Sequence, residues 1–280
     1  MSESGNDMQI EFWQGDVGRR WADNHARTDS VLREIGEKLL GFAGVQGGER
    51  VLDLGCGAGA TTLACADLVA PGGSVVGLDV SEPLLDVARR RVAEAGVANV
   101  ELVLADAAAH AFAPVAFDRV ISRLGVMFFA DPPAAFANIR RGMRPGARLA
   151  FVCFRTLAEC PWFALPWGAA KAHLPDLPTP DSDAPGPFAF GRPERVRGIL
   201  DAAGFGDVTI EPADPMMHGG DLEKTVEFLV HFGPLGRAVA EASEDRRRAA
   251  GDAARAALVP HVGADGIHLP AGVWLVGARA

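Results

Sequence analysis

Short apolar runs alternate with amphipathic segments through the first half of the chain. The apolar runs at 50–54, 74–79, 100–105, 116–121 and 147–154 have the length of buried strands, and helical periodicity fills the segments between them. This alternation predicts an α/β fold in which helices cover both faces of a mostly parallel, Rossmann-like sheet. Two further strands, predicted at 205–211 and 271–279, make the sheet seven-stranded.

The chain is interpreted as one domain with several parts. In order they are a helical leader at 1–45, a cofactor-binding core at 46–155, a loop with a short helix over the site at 156–191, the rest of the core at 192–211 and 271–280, and a helical cap inserted at 212–270. Apolar spacing predicts two helices in the leader. In the cap it predicts a helix that Asp221 caps and a long helix from Leu235 to Leu258 that would help to enclose a substrate.

The loop after the fifth strand contains several prolines, including Pro175, Pro178 and Pro180, which favour irregular backbone. Trp162 and Trp167 lie in the short helix that precedes them. Because loops over a rigid sheet commonly carry binding residues, we expect this segment to cover the site.

The first predicted strand leads into a glycine-rich turn, Asp53-Leu-Gly-Cys-Gly-Ala-Gly-Ala60. Without Cβ atoms, Gly55, Gly57 and Gly59 allow a sharp turn and expose backbone N–H groups to a ligand. The helix that begins near Ala60 points its free N–H groups at the same place, which favours an acceptor oxygen there. The segment therefore predicts a loop that binds a nucleotide cofactor.

Two classes of cofactor fit these glycines. The turn also matches the dinucleotide fingerprint, and Asp79, at the end of the next strand, could bond ribose hydroxyls in either class. The stretch from Asp53 to Asp67 contains two acids and no Lys or Arg, which suits a cofactor with a cationic reactive centre better than a pyrophosphate. Asp53 also extends the pattern to Asp-x-Gly-x-Gly-x-Gly.

In this form the turn resembles the first motif of the class I S-adenosylmethionine-dependent methyltransferases. The similarity continues through Leu104-Ala-Asp106-Ala107, Ala116-Phe-Asp-Arg-Val-Ile-Ser122 and, after Arg144-Pro-Gly146, Leu149-Ala-Phe-Val-Cys-Phe154. It is dense from about residue 45 to residue 155 and is strongest to the small-molecule branch known as type 11 or ubiquinone-biosynthesis-like. That branch resemblance includes Trp13, Trp21 and Val273-Trp-Leu-Val276.

The resemblance implies S-adenosylmethionine as the methyl donor, S-adenosylhomocysteine as its product, and no metal. It also implies that Asp79 binds the ribose and that Asp106 binds the adenine amino group. The predicted donor-binding residues are Asp53, Gly55, Cys56, Gly57, Gly59, Asp79, Val80, Asp106, Ala107, Ser122 and Trp21.

Residues around the expected methyl-transfer centre are candidates for the acceptor pocket. The predicted set is Arg123, Met127, Phe128, Trp13, Trp162 and Trp167, although the aromatic residues and Met127 would also suit a core. Arg123 could anchor a substrate carboxylate or pair with Asp118 or Asp131. His25, His173, His218 and His231 lie in segments expected above the site, and of these His231 and His25 are the candidates for a general base, because imidazole titrates near neutral pH. Positioning alone can carry much of an in-line methyl transfer, so a base is not required.

Composition and charge argue against nucleic-acid binding, membrane association and a zinc site at the cysteines. The formal charge of −9 opposes nucleic-acid binding, which needs clustered cations. No apolar run reaches the length of a membrane span and the N-terminus lacks the pattern of a signal peptide, so we expect a cytoplasmic protein without a membrane partner. The four cysteines have no histidines at zinc-ligand spacing and are expected to be buried free thiols.

Three functional hypotheses follow. The first is transfer of a methyl group from S-adenosylmethionine to oxygen, nitrogen or carbon of an organic small molecule. The second is an NAD(P)-linked oxidoreductase, against which stand the absence of tyrosine, and so of a Tyr-x-x-x-Lys pair, and of a second dinucleotide half. The third is a cofactor-binding member without transfer activity. The sequence does not indicate an oligomeric state.

Overall fold

Two sheets organise the computed structural model, which describes residues 5–174, 177 and 183–280. The strands are β1 (Arg50–Leu54), β2 (Ser74–Asp79), β3 (Val100–Leu104), β4 (Phe117–Arg123), β5 (Met143–Phe154), β6 (Gly206–Ala213), β7 (Met216–Gly220), β8 (Val262–Gly263), β9 (Gly266–Pro270) and β10 (Val273–Arg279). Seven of them form one sheet in the order β3-β2-β1-β4-β5-β10-β6, and the other three form a small sheet in the order β7-β9-β8.

Five strands of the large sheet, β1 to β5, run parallel, and β10 pairs antiparallel with both β5 and β6. The central strands β1 and β2 are buried along almost their whole length because helices cover both faces. The predicted fold class is therefore confirmed. The carboxyl ends of β1 to β4 lie together at one edge, where parallel α/β sheets bind their ligands.

Twelve helices surround the sheets within the described residues. They are α1 (Gly5–Gln14), α2 (Asp16–Asp23), α3 (His25–Val31), α4 (Arg33–Ala43), α5 (Ala60–Val69), α6 (Glu82–Ala95), α7 (Pro132–Gly142), α8 (Pro161–Ala170), α9 (Pro193–Ala202), α10 (Leu222–His231), α11 (Gly233–Glu241) and α12 (Glu244–Leu258). Across this part of the chain, none is both long enough and apolar enough to cross a bilayer. Pro175, Pro178 and Pro180 lie outside the described residues.

The leader contains four helices rather than the predicted two. Gly15 is extended, and Asn24 and Leu32 leave helical geometry between α2, α3 and α4. The Asn24 side chain donates to the carbonyl of Arg20 at 2.8 Å, and the Asn24 backbone N–H donates to the same carbonyl at 3.2 Å, so this residue satisfies the end of α2. Single-residue breaks of this kind shift the apolar spacing little, so periodicity did not reveal them.

The cap also differs from its prediction. Asp221 caps α10 as expected, accepting from the Lys224 N–H at 2.8 Å. The predicted long helix is wrong, because Ala242 and Ser243 are extended and separate α11 from α12. The small sheet was not predicted, since it joins β7 to a hairpin more than forty residues later in the chain.

Candidate functional site

The glycine turn after β1 has the conformation that its sequence requires. Gly55 has φ +65° and Gly59 has φ +81°, values that residues with a Cβ rarely adopt. A Cβ on Gly55 would lie 3.0 Å from the Cα of Gly125, in the loop that follows β4. The turn therefore packs backbone against backbone, while at Gly57 an added Cβ would meet no atom within 4 Å. Gly57 faces open space where a ligand can approach.

Asp79, at the end of β2, fastens this turn to the next loop. One carboxylate oxygen accepts from the Gly57 N–H at 2.8 Å, and the other accepts from the Ser81 N–H at 2.8 Å. Burial raises the pKa of this carboxyl, although the backbone N–H groups oppose the shift. Each oxygen can accept further bonds, so Asp79 remains able to bind ligand hydroxyls.

Asp106 follows β3 and lies at the same edge of the sheet as Asp79. One of its oxygens accepts from the Ala108 N–H at 2.9 Å, and the other accepts from the Asn6 side chain at 2.5 Å. Asn6 belongs to α1, so the leader contacts the carboxylate that the family resemblance implies for binding adenine. Asp106, Val80, Ala107 and Cys56 all line one cavity beside the glycine turn. Burial raises the pKa of the Cys56 thiol well above its ordinary value.

Asp53 and Ser122 lie behind the turn and do not line the cavity, although both were predicted to bind the donor. Asp53 is fully buried, and one of its oxygens accepts from the hydroxyls of Thr61 at 2.8 Å and Thr62 at 2.7 Å. Its other oxygen has no hydrogen-bond partner among the described residues. Ser122 donates to the carbonyl of Leu54 at 2.7 Å. Both side chains thus support the turn, and Gly59, which was also predicted to bind the donor, is the N-cap residue of α5 and does not line the cavity.

Asp53 should make stability depend on pH. Burial raises its pKa from an ordinary 3.8 to about 6, so between these values the folded protein holds a proton that the unfolded chain has lost. The Asp53 contribution to stability therefore falls as pH rises through this window, by about 2 kcal/mol between about pH 4.5 and pH 8. In urea unfolding, Asp53→Asn should lose that component and the exposed Asp67→Asn should keep it. An identical pH response in wild type and Asp53→Asn would contradict this origin.

A cavity runs from the glycine turn towards the cap and is lined mainly by aromatic rings. Trp13 contacts Trp21 edge to face at 5.7 Å and Phe128 at 5.2 Å, and Trp21 contacts Phe232 of the cap at 5.7 Å. Further apolar lining comes from Met127, Phe129, Phe154, Phe163, Met217 and Phe228. Leader, sheet and cap therefore meet around one apolar space, with the predicted residues Trp13, Trp21, Met127 and Phe128 on its wall.

Arg123 also lines the cavity, and its partner is a residue that the sequence did not suggest. It lies 3.2 Å from the carboxylate of Asp29 in α3, whose other oxygen is 2.8 Å from Arg91 of α6. The expected partners are occupied elsewhere: Asp118 pairs with Arg144, and Asp131 caps α7. The leader helix α3 lies over the end of β4 and so supplies the nearer acid.

The glycine turn is less free of cations than its local sequence indicates. Arg91 donates to the carbonyl of Ala58 at 2.7 Å, although it lies thirty-three residues further along the chain. Its positive charge is balanced by Asp29 at the same guanidinium. Residues 53 to 67 contain no cation of their own, and folding brings Arg91 to the turn.

Trp162 and Trp167 do not line the cavity, contrary to their predicted role. Trp162 is fully buried and packs against Phe228 with 6.3 Å between ring centroids. Trp167 belongs to a separate hydrophobic cluster with Leu235. From the same helix, α8, Phe163 faces the cavity instead. One residue corresponds to about 100° of helical rotation, so the sequence identified the helix but not its facing side.

Neither candidate histidine reaches the cavity. His231 is exposed at the end of α10, with its Nδ1 2.7 Å from the carbonyl of Glu227. His25 has its Nδ1 2.8 Å from the carbonyl of Ala22. Among the described residues, the charged side chains that line the cavity are Asp29, Asp79, Asp106 and Arg123. The prediction of a histidine base is therefore not supported by the geometry.

Several lining residues were missed by the sequence analysis. They include Asn6, Gln9, Thr28 and Asp29 of the leader and Phe154, Phe163, Met217, Phe228 and Phe232 further along. The leader residues are isolated polar positions on amphipathic helices, which carry no motif. The aromatic residues have the pattern of ordinary core positions, and only the tertiary arrangement distinguishes a cavity wall from a core.

Comparison with known proteins places the site in context. Residues 51–146 match a family model described as a methyltransferase domain. The chain is 33% identical over 189 residues to the nocamycin O-methyltransferase of Saccharothrix syringae, an alignment that covers 63% of this chain and 66% of that protein. It is 35% identical over 132 residues to the ubiquinone/menaquinone biosynthesis C-methyltransferase of Saccharophagus degradans, covering 47% and 53%.

A solved structure with similar architecture is the phosphoethanolamine N-methyltransferase 2 of Haemonchus contortus in complex with S-adenosyl-L-methionine. Its TM-score is 0.60 at 19% identity, and the match covers 99% of this chain and 60% of that one. The chain thus spans between about half and two thirds of the length of these relatives. The structural match at this identity supports the fold.

Proposed function

Because the chain belongs to the class I S-adenosylmethionine-dependent methyltransferases, we propose that it transfers a methyl group from S-adenosylmethionine to an organic small molecule. The observation that carries the proposal is the placement of antiparallel β10 between β5 and β6. The dinucleotide-binding fold has the order 3-2-1-4-5-6 without such a strand. The topology therefore argues against the NAD(P)-linked alternative, which the glycine pattern alone left open.

The residues present fit the donor on three points. Asp79 and Asp106 line the cavity with oxygens that can accept from ribose hydroxyls and the adenine amino group. Gly57 leaves open space in which a ligand can approach the backbone of the turn. Three carboxylates line the cavity, Asp29, Asp79 and Asp106, against the one lining cation Arg123, and this excess of acids suits a ligand that carries positive charge. When bound, the donor supplies a methyl group activated by a positively charged sulfur.

The acceptor that suits this cavity is largely apolar and ring-sized. Trp13, Phe128 and Phe232 line the cavity with apolar aromatic surface, and Phe232 is held in place by stacking on Phe228 at 4.8 Å. Oxygen, carbon and nitrogen methylation are all represented by the names of the relatives, so we keep the acceptor atom open. The aromatic residues of the wall would hold the acceptor in place and exclude water. Orientation of the reactants in a site without water can supply much of the rate of methyl transfer.

Arg123 suggests a further property of the acceptor. No described residue on the cavity wall is a histidine, so an acceptor that arrives already ionised has an advantage over one that must lose a proton there. Arg123 has five N–H donors, of which the bond to Asp29 uses one. We therefore propose that it faces an anionic oxygen of the acceptor.

A pair of fluorescent dyes can test this role without knowledge of the acceptor. In protein loaded with S-adenosylhomocysteine, Arg123→Gln should weaken binding of 1-anilinonaphthalene-8-sulfonate by about 10-fold or more, because a charge-assisted bond is lost. Binding of N-phenyl-1-naphthylamine, which lacks the sulfonate, should change by less than about twofold. The exposed Arg33→Gln is the matched control. An equal loss for both dyes would assign Arg123 a role in cavity shape alone.

Donor binding and labelled-methyl transfer test the proposed function itself. Calorimetric titration should give micromolar affinity for S-adenosylhomocysteine and no heat with NADH, and the reverse result would contradict the proposal. Labelled methyl groups should then appear in a small organic product when the protein is incubated with host extract. Donor binding without any labelled product would favour the inactive alternative. We place the reaction in the cytoplasm, since four buried free thiols suit a reducing compartment.

A further inference from the structure

Two histidines face each other across the small sheet, outside the cavity described above. His218 on β7 lies directly opposite His268 on β9, and their rings are 4.0 Å apart at 32°. Asp265 is in the turn that joins β8 to β9. Neighbouring residues of a strand point to opposite faces, and accordingly Met217 lines the cavity while His218 faces an outer groove. The three side chains therefore form a separate cluster.

The cluster has the atoms of a metal site. One nitrogen of each imidazole and one carboxylate oxygen all lie within 4.8 Å of one another. The Nε2 atom of His268 is buried 3.2 Å from a carboxylate oxygen of Asp265, yet it makes no hydrogen bond among the described residues. A buried polar nitrogen without a partner costs free energy, and a bound cation would satisfy it.

His218 is oriented by a backbone oxygen. Its Nε2 lies 3.0 Å from the main-chain carbonyl of Asp265. When that nitrogen carries the proton and donates, Nδ1 keeps its lone pair, and metal-binding histidines are commonly held in this way. The same residue, Asp265, thus orients one histidine with its backbone and approaches the other with its side chain.

We propose that His218, His268 and Asp265 bind a divalent transition-metal ion, with zinc as the representative. Two imidazoles and one carboxylate suit zinc, whereas magnesium and calcium require oxygen ligands. Neighbouring ligand atoms of tetrahedral zinc lie about 3.4 Å apart. The Asp265 side chain is 78% exposed and free to rotate, so the set can close around an ion. Water would complete the coordination.

The ion would join the β8–β9 turn to β7. Because Met217 lies on the inner face of β7, this link would steady one wall of the acceptor side of the cavity. The metal would take no part in methyl transfer, since the cluster opens to the other face of the strand. The two histidines lie fifty residues apart in the sequence and have no ligand-spacing motif, so only the folded chain brings them together.

Calorimetric titration of chelator-treated, full-length protein tests the site. We expect one zinc ion per chain with micromolar affinity and no heat with magnesium. His218→Gln and His268→Gln should each weaken zinc binding by about tenfold or more. The exposed His261→Gln is the matched control and should leave it unchanged.

Circular dichroism and binding of S-adenosylhomocysteine will verify that these variants remain folded. The proposal is overturned if wild-type protein binds no zinc below about 1 mM. It is equally overturned if the variant with both histidines replaced binds zinc as tightly as wild type, because the ion would then lie elsewhere.

Discussion

Asp79→Asn should lower the affinity for S-adenosylhomocysteine by about 100-fold or more. In the native site both carboxylate oxygens accept from backbone N–H groups, one on the glycine turn and one on Ser81. An amide can offer only one oxygen, so its NH₂ group would face one of these donors. The variant would thereby lose a charge-assisted bond to the protein as well as the charged contact that we propose with the ribose.

Calorimetry on the purified variant measures this loss, and urea unfolding shows whether the protein is still folded. The matched control is Asp86→Asn, an exposed acid on α6 whose partner is Arg89 at 2.8 Å. Its donor affinity should equal that of wild type. If Asp79→Asn also bound S-adenosylhomocysteine as wild type does, the donor would not lie against the glycine turn.

Gly18→Ala should separate the leader from the sheet. A Cβ at this position would lie 1.8 Å from the carbonyl oxygen of Trp13 and 2.7 Å from the Ser81 hydroxyl. That hydroxyl donates to the Trp13 carbonyl at 2.7 Å, and the Ser81 N–H donates to Asp79. A single methyl group therefore disturbs the contact through which α1 and α2 reach the carboxylate that braces the site.

We expect the free energy of unfolding to fall by about 3 kcal/mol, at the upper end of the usual cost of overpacking. Donor affinity should fall by about tenfold or more, since Trp13 and Trp21 leave the cavity wall. Gly41→Ala is the control, because an added Cβ there meets no atom within 4 Å in an exposed part of α4. It should be neutral or stabilising by up to about 1 kcal/mol. Unchanged stability and affinity in Gly18→Ala would mean that the leader is not part of the closed site.

The parts of this site that could be predicted are those encoded by neighbouring residues. The strands at 50–54 and 74–79 have the predicted bounds, because each is an apolar run bordered by glycine or polar residues. Asp79 and Asp106 both line the cavity, since the carboxyl ends of parallel strands meet at one edge. The local apolar pattern was sufficient to predict the bounds of the two strands, and the rule for parallel sheets was sufficient to predict the edge at which the two aspartates lie.

Contacts between distant segments were not accessible in the same way. Asn6 and Asp29 are single polar residues on helices, and their partners lie 100 and 94 positions away. Phe163 was passed over in favour of Trp162 because a helix can be predicted without its rotation about its own axis. The break at Ser243 had a local signal that was overlooked, namely a capping residue type followed by the two acids Glu244 and Asp245.

The residues that line the cavity come from an early and a late part of the chain, and this division indicates where the acceptor pocket could be changed. The residues proposed to bind the donor all lie before about position 130, whereas the lining residues Phe154, Phe163, Met217, Phe228 and Phe232 all come later. Changes in the later stretch could therefore alter the acceptor pocket while the earlier part, which includes the match to the methyltransferase family model at 51–146, keeps the proposed donor site. An engineer who wishes to redirect this protein should exchange the later stretch and leave the glycine turn untouched.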